Sequence, residues 1–146
     1  MAMRRQRTHV LCDASSALLL FKAGIIEALF NAVRLVFPRT VYAELTNHLR
    51  PGAEQFIAWY ARQYFLVVDV SEEEKFQIPL HGGERELILL YLEGRGKFLI
   101  LDDKKAATYC RRHAIPYLNA LLVPWLLLMK KLIPLSYVKE PQYCSV

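Results

Sequence analysis

In this chain of 146 residues, 19 Lys and Arg outnumber 14 Asp and Glu, and several of the scarcer acids stand where apolar runs end. Asp13 directly follows Thr8-His-Val-Leu-Cys12, and Asp102-Asp103 directly follows Lys97-Phe-Leu-Ile-Leu101. Glu44 lies in Val41-Tyr-Ala-Glu-Leu45, and Glu84 and Glu86 open the run Gly83-Glu-Arg-Glu-Leu-Ile88. Carboxylates gathered in one place repel one another and bind protons unless a cation neutralises them. All-oxygen ligands suit a hard divalent ion, Mg²⁺ or Mn²⁺, which usually keeps several of its waters. Such an ion acidifies a bound water and neutralises charge building on a phosphodiester. A basic surround then holds the flanking phosphates. The candidate metal ligands are therefore Asp13, Glu44, Glu84, Glu86, Asp102 and Asp103.

Each acid also has an ordinary role open to it. Asp13 and Asp102 precede helical segments and suit N-caps. Glu84, and in part Glu86, complements the positive start of a helix, and Glu44 fits the wet side of an amphipathic one. His9, His48, His81 and His113 are scattered, and Cys12, Cys110 and Cys144 show no ligand spacing, so nothing competes for zinc. An odd cysteine count without a framework reads as reduced thiols and a cytoplasmic location.

The elements that must position these acids alternate. Thr8–Cys12 reads as a strand, Ser15–Ala23 as a helix stopped by Gly24, and Ile25–Asn31 as another turn or two. Val33–Phe37 is a second strand closed by Pro38. A helix opening at Arg39 or Thr40 carries Val41, Leu45 and Leu49 on one side and ends at Pro51. Phe56, Ile57, Trp59 and Tyr60 follow at helical spacing, and Phe65–Val70 is a β-branched third strand. A polar loop over Ser71–Gly82 precedes a helix over Glu84–Leu92. Lys97–Leu101 is the clearest strand, Lys104–His113 a helix, Ile115–Leu118 a fifth strand, and Asn119–Lys131 a last helix. Residues after Pro134 read as a tail to a single domain with its core over about residues 9–131. Continuous apolar strands alternating with helices predict an α/β fold with a mostly parallel sheet covered on both faces. Such sheets bind ligands beyond the carboxyl ends of their strands, which is where Asp13 and Asp102-Asp103 fall.

Composition agrees. The apolar fraction is 54% and mean hydropathy +0.17, which suits a doubly covered sheet or an oligomer contact. The net charge of +5 points weakly to nucleic acid. Asp13 breaks the first apolar run too soon for a signal peptide. Leu118–Met129 is too short to span about 30 Å of hydrocarbon, so no membrane partner is expected.

Val10-Leu-Cys-Asp-Ala-Ser-Ser-Ala-Leu18, Val41-Tyr-Ala-Glu-Leu45, Gly83-Glu-Arg-Glu-Leu-Ile88 and Leu99-Ile-Leu-Asp-Asp-Lys-Lys-Ala106 together resemble the successive motifs of PIN-domain proteins. The resemblance is closest to the prokaryotic branch with a strand–Asp-Asp–basic–Ala motif, and it runs from about residue 9 to 131. It implies a Rossmann-like three-layer α/β/α sandwich of about five strands and metal-dependent RNA cleavage. It also implies a homodimer, and for many members a toxin role beside a small antitoxin protein. Carried over by position, Asp13, Glu44, Glu86 and Asp103 would form the catalytic acids, with Glu84 and Asp102 as near substitutes. Ser15 would be the hydroxyl companion of Asp13. Asn119 stands where some members place a further acid, and either holds a metal-bound water or caps the last helix.

Lys104, Lys105, Arg111 and Arg112 leave the candidate site on one helix and suit either phosphate contact or solvation. Glu72-Glu-Glu-Lys75 reads as solvated surface or a partner-contact segment, and Trp59, Tyr60 and Tyr64 as core, dimer interface or base-stacking surface. A catalytically weak PIN-like module that binds nucleic acid or a partner is the alternative reading. A phosphoacceptor receiver is disfavoured, because its acid pair follows the first strand rather than the fourth.

Overall fold

The computed structural model describes residues 7–71 and 77–130. Five short parallel strands, β1 (His9–Cys12), β2 (Arg34–Pro38), β3 (Leu66–Val68), β4 (Phe98–Leu101) and β5 (Tyr117–Asn119), form one sheet in the order β3-β2-β1-β4-β5. The helices are α1 (Ala14–Lys22), α2 (Ile26–Ala32), α3 (Arg39–Leu45), α4 (Ala53–Ala61), α5 (Gly82–Leu92), α6 (Lys104–Arg112) and α7 (Val123–Met129). The order reverses direction between β1 and β4, a topological switch point at which open α/β sheets form their binding crevice. It also differs from the receiver order 2-1-3-4-5.

Side-chain alternation along each central strand produces the three layers. Val10, Cys12, Leu35, Phe37 and Ile100 face one core, with Leu20 of α1, Leu29 of α2, Phe56 of α4 and Leu127 of α7. Leu11, Val36, Leu99 and Leu101 face the other, against Leu87–Leu90 of α5 and Ala106 and Cys110 of α6. Because both faces are covered, the strands carry continuous apolar runs. The loop after β3 is less polar than its sequence suggests, since Ile78 and Leu80 tuck into the second core. The Glu72–Lys75 segment, Lys131, Cys144 and the tail expected after Pro134 lie outside the described residues.

Two elements differ from expectation. The helix opening at Arg39 closes at Leu45, well before Pro51, and leaves Leu49 81% exposed. Thr46 caps it, its hydroxyl donating to the Tyr42 carbonyl at 2.8 Å, and the Asn47 side chain then accepts from the Leu49 amide at 3.0 Å. These local bonds compete with the helical ladder. The last helix is preceded by a 3-10 turn over Ala120–Leu122, so α7 starts with Pro124 in its first turn, where a missing amide hydrogen costs nothing. Among the described residues no single helix is long and apolar enough to cross a membrane. Trp59 belongs to the core, in edge contact with Phe21, Phe30 and Phe56.

Gly52, which caps α4, has a φ of +87°, and a Cβ there would lie 2.5 Å from the Phe21 ring. Left-handed backbone costs a side chain about 1–2 kcal/mol, and overpacking adds a similar amount. Gly52→Ala is therefore expected to destabilise the protein by about 2 kcal/mol or more, read from denaturant midpoints. A change under about 0.5 kcal/mol would show that α4 and Phe21 yield freely.

Candidate active site

Pairing of β1 with β4 brings Asp13 and Asp102 side by side although they lie 89 positions apart. The Asp13 amide donates to the Ile100 carbonyl at 3.1 Å, continuing the ladder past the strand end. One Asp13 carboxylate oxygen accepts from the Ser16 amide at 2.8 Å and caps α1. The other accepts from the Asp102 amide at 3.2 Å, with the Ser15 hydroxyl a longer donor at 3.5 Å. The capping role and the site role thus coexist in one carboxylate. Asp13 is only 2% exposed, and no Lys or Arg among the described residues forms an ion pair with it. Burial pushes its pKa up, opposed by hydrogen bonding from Ser16 and the Asp102 amide, with the Asp102 charge pushing the same way as burial.

The acids after β4 divide their work. Asp103 caps α6 through the Ala106 amide at 2.8 Å. Asp102 is exposed and accepts from the Asn119 side chain at 3.4 Å. Asn119 in turn accepts from the Leu121 amide at 2.8 Å, so it caps the turn that follows β5 while its other end reaches the acid cluster.

Glu84 and Glu86 are two residues apart, about 200° around a helix, so they face different ways. Glu84 looks into the site. Partial burial raises its pKa first, and the charges of Asp103, Asp13 and Glu44 raise it further. Glu86 instead accepts a hydrogen bond from the Thr40 hydroxyl at the start of α3. This contact and the close seat of Gly83, where a Cβ would meet the Val41 side chain at 2.9 Å, hold α5 against α3. Glu44, one turn beyond Val41, is exposed at the rim of the cluster. The structure therefore brings Asp13, Asp102, Asp103, Glu84 and Glu44 to one edge, while the Glu86 carboxylate is bonded to Thr40 of α3. Thr40 carries no sequence signal of this role, because a contact between helices leaves no fixed spacing.

Lys104, Lys105 and Arg112 lie together along α6. Arg111 stands apart, bonding the Tyr117 hydroxyl at 2.6 Å and Thr108 at 3.2 Å. The described cysteines are inert: Cys12 and Cys110 are buried, and burial pushes the Cys110 thiol up to about 11.

Among the described residues no three His, Cys, Asp or Glu side chains converge closely enough to grip an ion between them. The donor chemistry nevertheless fits a hard divalent cation. A buried carboxylate with no ion-pair partner among the described residues faces others that raise Glu84's pKa, and Mg²⁺ commonly takes one or two carboxylates and completes its shell with water.

The raised pKa values fix a sign for stability. A carboxyl that holds its proton more tightly when folded stabilises the fold most below its unfolded pKa. That stability is lost as pH climbs from about 4 through the raised value. In chelator, Tm is expected to fall from pH 4 towards neutrality, and Asp13→Asn, which keeps a good capping side chain, is expected to lessen the fall. Thermal melts across that range check it, and an unchanged slope in the variant would remove Asp13 as a source.

The chain matches the family profile of the PIN domain over residues 9–140, a span that holds all five strands and every described helix. No curated protein matches it. Since that profile covers most of the sequence and the acids meet at the switch point of the parallel sheet it entails, the chain belongs to the PIN-domain family.

Proposed function

We propose that the protein is a metal-dependent endoribonuclease that hydrolyses RNA phosphodiester bonds. The observation that carries this reading is the buried Asp13 carboxylate, unpaired with any described cation and set among acids whose charges raise the pKa of Glu84. Asp13, Glu84 and Asp103, with Glu44 at the rim, would hold Mg²⁺ or Mn²⁺. The ion would supply a nucleophilic hydroxide near neutral pH and offset charge on the cleaved phosphate. The protein's own part is positioning. Asp13 is immobilised by two amides and a strand end, Asp103 by its cap on α6, and Asp102 by Asn119. Ser15 orients the oxygen of Asp13 that also meets Asp102. Because Asp13 and Glu84 must be ionised to bind a cation, activity is expected to rise with pH through their raised pKa values.

With Mn²⁺ or Mg²⁺ and a mixed RNA substrate, Asp13→Asn and Glu84→Gln are expected to lose about 100-fold or more in kcat, the scale for removing one charge-stabilising group. Glu86→Gln is expected to stay within about 10-fold, the lower end for a supporting contact, since its carboxylate is taken up by the Thr40 hydroxyl. Equal losses at positions 84 and 86 would undo the assignment of Glu84. Metal-independent cleavage, or none with any RNA, would sink the enzyme reading, and RNA retained without cleavage would establish the binding-module alternative.

A homodimer is the state we propose for it, on the exposed apolar side chains of Leu121 (48%), Leu122 (44%) and Met129 (79%) along the segment that enters and ends α7. Contiguous exposed apolar surface of a few hundred Å² or more marks a contact site, and a dimer would join these side chains with their copies in the partner. Leu122→Asp is expected to shift the protein to monomer in light scattering, and an unchanged mass would place any contact elsewhere.

A further inference from the structure

A groove of about 490 Å³ runs along α6 from the acidic edge, between that helix and the segment from Gln77 to Leu80. Lys104, Lys105, Tyr109, Arg112 and His113 recur at helical spacing and line its floor, while Pro79 and Leu80 form an apolar wall. Lys104, Lys105 and Arg112 are exposed, and none has an ion-pair partner among the described residues. Among the described residues no acid lines the groove. Tyr109 and His113 stack on each other, with centroids 4.1 Å apart and planes 26° from parallel. The outer His113 ring is exposed, and a pre-stacked pair offers a flat surface whose rotamer entropy has already been lost.

We propose that this groove is a single-stranded RNA subsite, in which an unpaired base stacks on His113 while Lys104, Lys105 and Arg112 hold successive phosphates. It rests on the nuclease reading for its direction, since Lys104 follows the site acid Asp103 and the strand is led towards that edge. The chemistry favours a single strand. Three cations in a row with an interleaved aromatic face match a flexible backbone with splayed bases, whereas a duplex keeps its bases stacked away from such a face. Arg111 is excluded, held by Tyr117 and Thr108.

Binding of a short fluorescein-labelled single-stranded RNA, followed by anisotropy in chelator across a salt series, tests the groove apart from cleavage. Joint Lys104→Ala, Lys105→Ala and Arg112→Ala substitution is expected to lower the slope of log Kd against log salt by about 2, at roughly 0.7 per phosphate contact on a single strand. His113→Ala is expected to weaken binding roughly 5-fold or more, and His113→Phe, which keeps a stacking face, to restore it. An abasic strand is expected to bind wild type and His113→Ala alike. An unchanged slope in the triple variant overturns the subsite even where Mn²⁺-dependent cleavage is seen. Equal displacement of the RNA by a duplex or by polyglutamate overturns its single-strand character. The expected binding pattern without cleavage in any metal supports the groove and removes the nuclease reading instead.

Discussion

Asp13 performs two tasks that oppose each other electrostatically. Its two oxygens fasten the start of α1 and the end of β4 to the tip of β1, which requires a carboxylate at a nearly water-free position. Burial alone would neutralise such a group, and hydrogen bonds from amides keep the charge affordable without supplying a cation. The central strand can therefore end in a carboxylate that has no ion-pair partner among the described residues. Everything that defines the site, from the switch point to the neighbouring acids, is arranged around that residual negative potential.

The surrounding acids are each held by a different device, which separates their functions. Asp103 is tied to a helix start, Asp102 to a side-chain amide from the adjacent strand, and Glu84 to the first turn of a helix pressed against α3. Placement on element ends rather than on long loops gives each carboxylate a narrow range of positions. A net charge of +5 in the whole chain keeps this local concentration of negative charge from dominating the far field. The long-range field of the protein is then positive although its acidic edge is not.

The layered fold and its parallel sheet were legible because apolar runs, Gly and Pro punctuation and acids at run ends all point to the same architecture. The positions of Asp13 and Asp102-Asp103 were legible for the same reason, since a strand end is a sequence feature. Which of Glu84 and Glu86 bonds to α3 was not. It depends on the phase of α5, set by Gly83 closing on Val41 and by Thr40 meeting Glu86, and a motif two residues wide does not encode which neighbour lies opposite. The early end of α3 was hidden because side-chain bonds from Thr46 and Asn47 interrupt an apolar spacing that runs on to Leu49. The Tyr109–His113 pair was not legible either, because an i, i+4 aromatic spacing on a basic helix has no meaning until a wall stands beside it.

The sheet order has a further consequence during synthesis. Strands β1, β2 and β3 come from the first half of the chain and can pair as soon as they emerge, but β1 then has one open side. The partner that closes it, and the amide that restrains the Asp13 carboxylate, arrive 89 positions later. Chains grow at about 5–20 residues per second, so Asp13 spends several seconds capping α1 with no second carboxylate from β4 beside it. The acidic edge is thus completed only when the later half has folded, so any chemistry that needs both carboxylates is withheld from the growing chain.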